Sequence, residues 1–122
     1  MELIVGGRAQ GKLAYALALT GRTEAEVADG LLLGLPIVNH LHRCVRELLQ
    51  AGRNAEREVL AFAEAHPDCV FVCDEIGCGL VPVDAFEREY RDAVGRVCCA
   101  LARRAGRVHR VFCGMGTVIQ HG

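Results

Sequence analysis

A strand that ends in a turn tight enough to wrap an anion is written into residues Leu3 to Leu13, LIVGGRAQGKL. The apolar run Leu3-Ile4-Val5 stops at Gly6-Gly7, and Gly11-Lys12 opens an alanine-rich helical pattern. Gly6, Gly11 and Lys12 stand at the spacing G-x-x-x-x-G-K, that of a phosphate-binding loop. Such a loop turns backbone N–H groups inward around a phosphate, which glycine permits, and the following helix aims its positive end at the anion. Lys12 then adds a mobile charge over the terminal phosphates. Gly6, Gly7, Arg8, Ala9, Gln10, Gly11 and Lys12 are therefore the expected phosphate contacts. Leu13 stands where a Ser or Thr hydroxyl normally holds Mg²⁺, so no metal ligand is assigned and a role for Mg²⁺ is put in doubt.

The pattern downstream alternates between strand and helix. The first helix is expected over Gly11 to Leu19, with Ala14, Leu17 and Ala18 inward, ending near Gly21. Thr23 reads as the cap of a short helical piece through Glu24-Ala25-Glu26, and Asp29-Gly30 as a turn. Leu31-Leu32-Leu33 fits a frayed helix end or extended chain equally. Pro36-Ile37-Val38 reads as a buried strand with Asn39 at its tip. Leu41, Cys44, Val45, Leu48 and Leu49 recur at helical spacing up to Gly52, leaving His42, Arg43, Arg46 and Glu47 on the polar face. Asn54 caps another helix, with Val59, Leu60, Phe62 and Ala63 inward, which Pro67 terminates.

Cys69-Val70-Phe71-Val72-Cys73 is the clearest strand, with Asp74-Glu75 at its carboxyl end and a glycine-punctuated loop from Ile76 to Pro82. Asp84 begins the longest helix, whose buried stripe is Phe86, Tyr90, Ala93, Val97 and Leu101; Gly106 ends it. Val108 to Cys113 is the expected last strand, and Gly114-Met115-Gly116 begins a short tail. Strands alternating with helices predict an α/β domain over residues 1–122, a P-loop NTPase-like doubly wound, mainly parallel sheet with helices on both faces.

Composition supports that class and removes others. Hydrophobic residues make up 52% of the chain with 5% aromatic and no Trp, which suits aliphatic parallel strands under helices. A net charge of −1 gives no reason to expect a nucleic-acid partner. The longest apolar stretch, Leu31 to Val38, is interrupted by Gly34 and Pro36 and is too short to cross a bilayer. Met1-Glu2 leads straight into a strand with no room for a signal peptide, so a cytoplasmic location is expected. Seven cysteines form no C-x-x-C, and small buried thiols in a reduced compartment are expected, although Cys73 and Cys78 bracket Asp74-Glu75 as soft-metal ligands would.

In such sheets ligands bind outside the carboxyl ends of the strands. The loop at Gly6 to Lys12, Asn39-His40, Asp74-Glu75 and the Gly114 turn should therefore face one crevice. Asp74 and Glu75 are the expected catalytic residues, acting as metal carboxylates or as a base for an attacking hydroxyl. His42-Arg43-x-x-Arg46 offers either a nucleophilic imidazole beside phosphate-binding guanidinium groups or a solvated helix face. His66, His109 and His121 have no partner identifiable from sequence.

Cys73 to Arg96, CDEIGCGLVPVDAFEREYRDAVGR, resembles the adenosylcobinamide kinase / adenosylcobinamide-phosphate guanylyltransferase family of cobalamin assembly. That family carries N-E-V-G-x-G-I-V-P followed by a helix with R-x-[FY]-R-D-x-x-G-R. Asp74 to Pro82 matches the first motif with Asp for Asn, and Arg88 to Arg96 matches the second. Gly6-Gly7 and Gly11-Lys12 match its loop G-G-x-x-S-G-K-S, with Gln10 and Leu13 replacing the serines. The family's second strand ends in an acid, and its best counterpart here is Asn39. Its nucleotide-accepting histidine lies in an H-R-x-x-R between loop and second strand, whereas the same pattern at His42 falls beyond that strand.

The resemblance implies a compact, divergent protein of cobalamin biosynthesis that binds GTP or ATP, a kinase and guanylyltransferase if active, with adenosylcobinamide or its phosphate as acceptor. The other reading, favoured by Leu13 and Asn39, is a non-catalytic nucleotide- or corrinoid-binding regulatory or scaffold protein derived from that family. Exposed faces of the long helix are the expected surfaces for a homo-oligomer.

Overall fold

A computed structural model describes residues 1–76 and 84–121. The segment from Gly77 to Pro82 of the glycine-punctuated loop, with Cys78, lies outside the described residues. The chain runs β1 (Glu2–Gly6), α1 (Lys12–Thr20), a single 3₁₀ turn (Glu24–Glu26), β2 (Val27–Asp29), β3 (Ile37–Asn39), α2 (Leu41–Gln50), α3 (Ala55–Ala65), β4 (Val70–Asp74), α4 (Ala85–Arg104), β5 (Arg107–Phe112) and β6 (Met115–His121). The strands form one sheet in the order β2-β3-β4-β1-β5-β6, parallel except for the antiparallel edge strand β6. The α/β class and the mainly parallel sheet are as the sequence predicts.

Strand β1 is hydrogen-bonded on both sides, Glu2 to Gly6 against Val70 to Asp74 and against Arg107 to Val111. Side-chain alternation then fills two cores. Leu3, Phe71, Cys73 and Val108 pack under α2, α3 and α4, while Ile4, Val70, Val72 and Val111 pack under α1. Helices thus cover both faces. Their boundaries follow local chemistry: Asn54 Oδ1 accepts from Arg57 N–H at the start of α3, and Asp84 Oδ1 accepts from Glu87 N–H at the start of α4. Of the expected stripe, Tyr90, Ala93, Val97 and Leu101 are buried, and Phe86, in the first turn, is only partly covered.

Several expectations are corrected. The tail after Gly114 is strand β6, reached through a two-residue turn in which Cys113 and Gly114 both have positive φ, of 51° and 76°. That backbone matches the twist of an antiparallel hairpin, and the sequence hid it because Cys is not a usual residue for such a turn. Val27–Asp29 is a short parallel strand, not merely the approach to a turn. Leu31 to Leu33 is irregular, with Leu31 and Leu33 exposed. On α1, Ala16 is the fully buried residue whereas Ala14 and Ala18 are exposed; the larger Leu13, Tyr15 and Leu17 set the phase of the helix against the sheet. Of the described cysteines, all free, Cys44, Cys69 and Cys73 are buried and Cys99 and Cys113 exposed. Burial pushes the Cys44 and Cys69 thiols up to about 11.

His109, fully buried on β5, joins α1 to the start of the sheet. The Tyr15 hydroxyl lies 2.8 Å from its Nδ1, and its Nε2 lies 2.6 Å from Glu2 Oε1, which Arg107 also meets at 3.0 Å. Burial by itself would raise the Glu2 carboxyl, but the His109 hydrogen bond and the Arg107 charge outweigh it and hold the group below its ordinary value. Tyr15→Phe leaves the buried Nδ1 without its partner and is expected to destabilise the fold by about 1–3 kcal/mol. Urea denaturation measures this directly; an unchanged midpoint would show that the Tyr15–His109 bond contributes nothing.

Candidate functional site

The turn between β1 and α1 is shaped by close approach and by backbone sign. A Cβ on Gly6 would stand 2.5 Å from the carbonyl oxygen of Val111, so only glycine lets β5 run this near the loop. Ala9 and Gly11 have φ of 59° and 84°, two left-handed residues that reverse the chain before α1. Gly11 brings no side chain to cap α1, and no acid stands in the first turn. The positive end of the helix therefore opens on the loop. Gln10 ties the loop to the hairpin turn, its carbonyl accepting from Gly114 N–H and its Oε1 from Cys113 N–H, both at 2.8 Å.

Lys12 folds back across this turn. Its Nζ donates to the Gly7 carbonyl at 2.7 Å and meets Asp74 Oδ1 at 2.7 Å, with only 7% of the side chain exposed. Alternation along β4 explains why Asp74 faces it. Val70 and Val72 point to the α1 side, so Asp74 does too, and Glu75 turns to the other face. There Glu75 pairs with Arg110 at 3.1 Å, while its backbone N–H donates to the Gly6 carbonyl at 2.8 Å.

His42 closes the arrangement from α2. In a parallel ladder successive N–H groups point to opposite neighbours; with Glu75 N–H directed at β1, Asp74 N–H points towards β3. Pairing with β3 reaches only Val38 and Phe71, so the Asp74 N–H would lack an acceptor. His42 Nδ1 supplies it at 3.2 Å, which leaves the ring proton on Nε2, 3.4 Å from Asp74 Oδ2. The expected solvated position of His42 is thereby corrected: it is a buried residue that holds both the backbone and the carboxylate of Asp74. Its partner in the H-R-x-x-R pattern, Arg46, is bound by Glu87 and lies over the rings of Phe86 and Tyr90. Neither residue is disposed as a nucleophile with a phosphate clamp. Sequence reading missed this because a helical wheel does not know where a neighbouring strand ends.

The loop, the β3 tip and Asp74 enclose a crevice of about 290 Å³ outside the carboxyl ends of the strands. Arg8, Gln10, Gly11, Lys12, Asn39 and Asp74 line it, with His40 and Arg43 at the rim. His40, at φ 53°, is paired with Asp29 of β2. The loop, the Asn39-His40 tip and Asp74 thus meet at one place, with the Gly114 turn bonded behind the loop; Glu75 does not line the crevice. No group of three or more His, Cys, Asp or Glu among the described residues is placed to hold a metal ion.

The sequence model of the cobinamide kinase / cobinamide phosphate guanyltransferase family matches residues 24–119. The chain belongs to this family. The family resemblance carried by Asp74 to Pro82 and Arg88 to Arg96 falls within the matched residues, whereas the loop at Gly6 to Lys12 precedes them. No curated protein matches the chain. No helix among the described residues is long and apolar enough to cross a membrane.

Burial is the largest influence on the His42 imidazole and holds it below its ordinary value of 6.5, against the pull of Asp74. As pH falls, the unfolded chain therefore binds a proton at His42 before the folded chain does. The stability His42 confers is present above pH about 6.5 and is lost as pH drops towards the lower folded value. Urea midpoints followed from pH 7.5 to pH 5, roughly the range in which histidine titrates, should fall in the wild type and fall less steeply in His42→Gln. Parallel pH profiles would mean that His42 titrates alike in both states.

Proposed function

We propose that this family member binds a nucleoside triphosphate through the loop at Gly6 to Lys12, in a P-loop NTPase-like fold, and acts in cobalamin biosynthesis on cobinamide or its phosphate. The observation that carries the reading is the near-buried Lys12 ammonium held over a glycine turn at the uncapped N-terminus of α1. Three positive features converge there, the lysine, the helix end and the backbone amides of the loop, and a phosphate answers all of them. Family membership supports the cobinamide assignment and the kinase and guanyltransferase chemistry.

Lys12 is already engaged by Asp74, so phosphate must displace a carboxylate to reach it. Once released, Asp74 is the acid nearest the transferable phosphate and the residue to take the proton of an acceptor hydroxyl. Glu75, on the other face of the strand with Arg110, has no such access. The donors present do not fit a protein-held Mg²⁺: Leu13 brings no oxygen, Asn39 brings a neutral amide in place of an acid, and Asp74 is the single carboxylate among the described residues that line the crevice. Nucleotide affinity should accordingly depend little on Mg²⁺. The same replacements favour a second reading, nucleotide binding without turnover in a regulatory or scaffold role. Adenosylcobinamide phosphorylation measured beside binding separates the two.

Thermal denaturation with GTP and with ATP, each with and without Mg²⁺, tests the binding claim. Ligand at a hundred times its Kd adds about 2.7 kcal/mol, several degrees in Tm for a domain of this size. No shift with either nucleotide would sink the reading. Lys12→Ala should weaken binding about ten- to a hundredfold, the loss of one charge-assisted contact worth about 1.5–3 kcal/mol.

Asp74→Asn should act in the opposite direction. It frees the Lys12 ammonium, so nucleotide should bind more tightly in titration calorimetry while any phosphoryl transfer falls by about a hundredfold or more. Weaker binding in Asp74→Asn would mean that the carboxylate supports the nucleotide instead of competing with it.

A further inference from the structure

The helix motif that identifies the family does not line the Lys12 crevice. Arg91, Asp92, Gly95 and Arg96 line a separate cleft of about 670 Å³, with Cys99 and Arg103 further along α4. Arg91, Gly95, Cys99 and Arg103 follow one another at i, i+4 spacing on one helix face, away from the buried stripe. Two observations on this face have no explanation in the fold. Gly95 sits inside a helix of 20 residues, yet a Cβ there would meet nothing within 4 Å. Glycine in a helix interior is destabilising relative to alanine, and no packing constraint demands it. The other is Arg91, whose Nη1 is sealed from solvent without a hydrogen-bond partner among the described residues. A guanidinium nitrogen in that state is unfavourable, and the part of the same group that lines the cleft is where an anion can offset its charge.

We propose that this cleft binds a phosphate-bearing small molecule, clamped by Arg91 and Arg96 and seated against the backbone that Gly95 leaves open. Arg103 adds a further charge one turn beyond Cys99. Glu56, 3.8 Å from Arg96 Nε, and Asp92 supply acceptors for hydroxyl or amide groups on the body of the same ligand. Three guanidinium groups against two carboxylates leave the cleft cationic, which suits a phosphate ester and not a neutral ligand. The inference stands apart from the Lys12 crevice and does not need that reading to hold.

Two exposed thiols report the two places separately. Cys99 lines this cleft, whereas Cys113 adjoins the loop through its bond to Gln10. Inorganic pyrophosphate is the probe, and alkylation by iodoacetamide, read on each cysteine peptide by mass spectrometry, is the measurement. Pyrophosphate should slow Cys99 alkylation about tenfold or more, equally in wild type and in Lys12→Ala, and protection at Cys113 should depend on Lys12. Arg96→Gln, at an exposed position, should abolish Cys99 protection without changing Tm; Arg91→Gln should do the same provided its circular dichroism is native. Gly95→Ala should raise Tm by a few degrees and still lose the protection, an outcome that a structural glycine does not give. Undiminished alkylation of Cys99 in the wild type overturns the proposal, and so does protection that survives in Arg96→Gln. Cys99 shielding that rises with protein concentration before any pyrophosphate is added would assign the cleft to a second copy of the chain and overturn it as well.

Discussion

Strand β1 is paired on both sides, and nearly every other feature is placed by that constraint. Its residues Glu2 to Gly6 share hydrogen bonds with β4 and β5 in parallel register, so its carboxyl end emerges between two other strand ends. Parallel neighbours cannot be joined by tight turns, which obliges the chain to travel over the faces through α1 on one side and through α4 on the other. The glycines at the end of β1 follow from the same crowding. With the Val111 carbonyl 2.5 Å from where a side chain would begin, Gly6 is a condition of the sheet as much as of any ligand.

At that junction two charges are held largely out of water. Lys12 and Asp74 satisfy one another, and a buried pair of this kind gives little net stability because desolvation offsets the attraction. What the pair does is define geometry. Asp74 is fixed twice by His42, through the backbone N–H and through the carboxylate, and Lys12 is fixed twice by Asp74 and the Gly7 carbonyl. The result is a loop already turned, with its ammonium held against an internal anion. Neutralising Asp74 would leave the Lys12 ammonium to be met by another anion, as the proposed phosphate would do, whereas removing Lys12 would leave a carboxylate that repels one.

Two separate clefts gather polar and charged side chains. The loop of the crevice precedes the family match and the strand tips that complete it fall within the match, while Arg91 to Arg103 of α4 line the arginine cleft. A chain this short has room for both because α4 is long and amphipathic. One stripe fills the core, and the other faces outward with Gly95 as its lowest point.

Much of the chain was legible before any coordinates. The i, i+4 pattern from Leu41, the cap at Asn54, the aliphatic run at Cys69 to Cys73 and the stripe of α4 each carry a local physical signal, and the helices and the central strand fall where those signals put them. The parallel class followed from their alternation. What local signals could not carry was any fact depending on which strand lies beside which. Strand β6 needed a partner to exist, Ala16 instead of Ala14 needed a sheet to face, and Asp74 and Glu75 were inseparable until alternation along β4 was anchored to two distinct cores. His42 is the clearest instance. Its sequence surroundings describe a polar helix face, and only the early end of β3, which leaves the Asp74 N–H without an acceptor, makes it a buried member of the crevice. Sequence thus determined the helices, the central strands and the glycine turn, because those depend on neighbours along the chain; the tertiary structure decided the edge strands β2 and β6 and which side chains meet at the loop, because hydrogen-bond satisfaction and strand alternation act between segments.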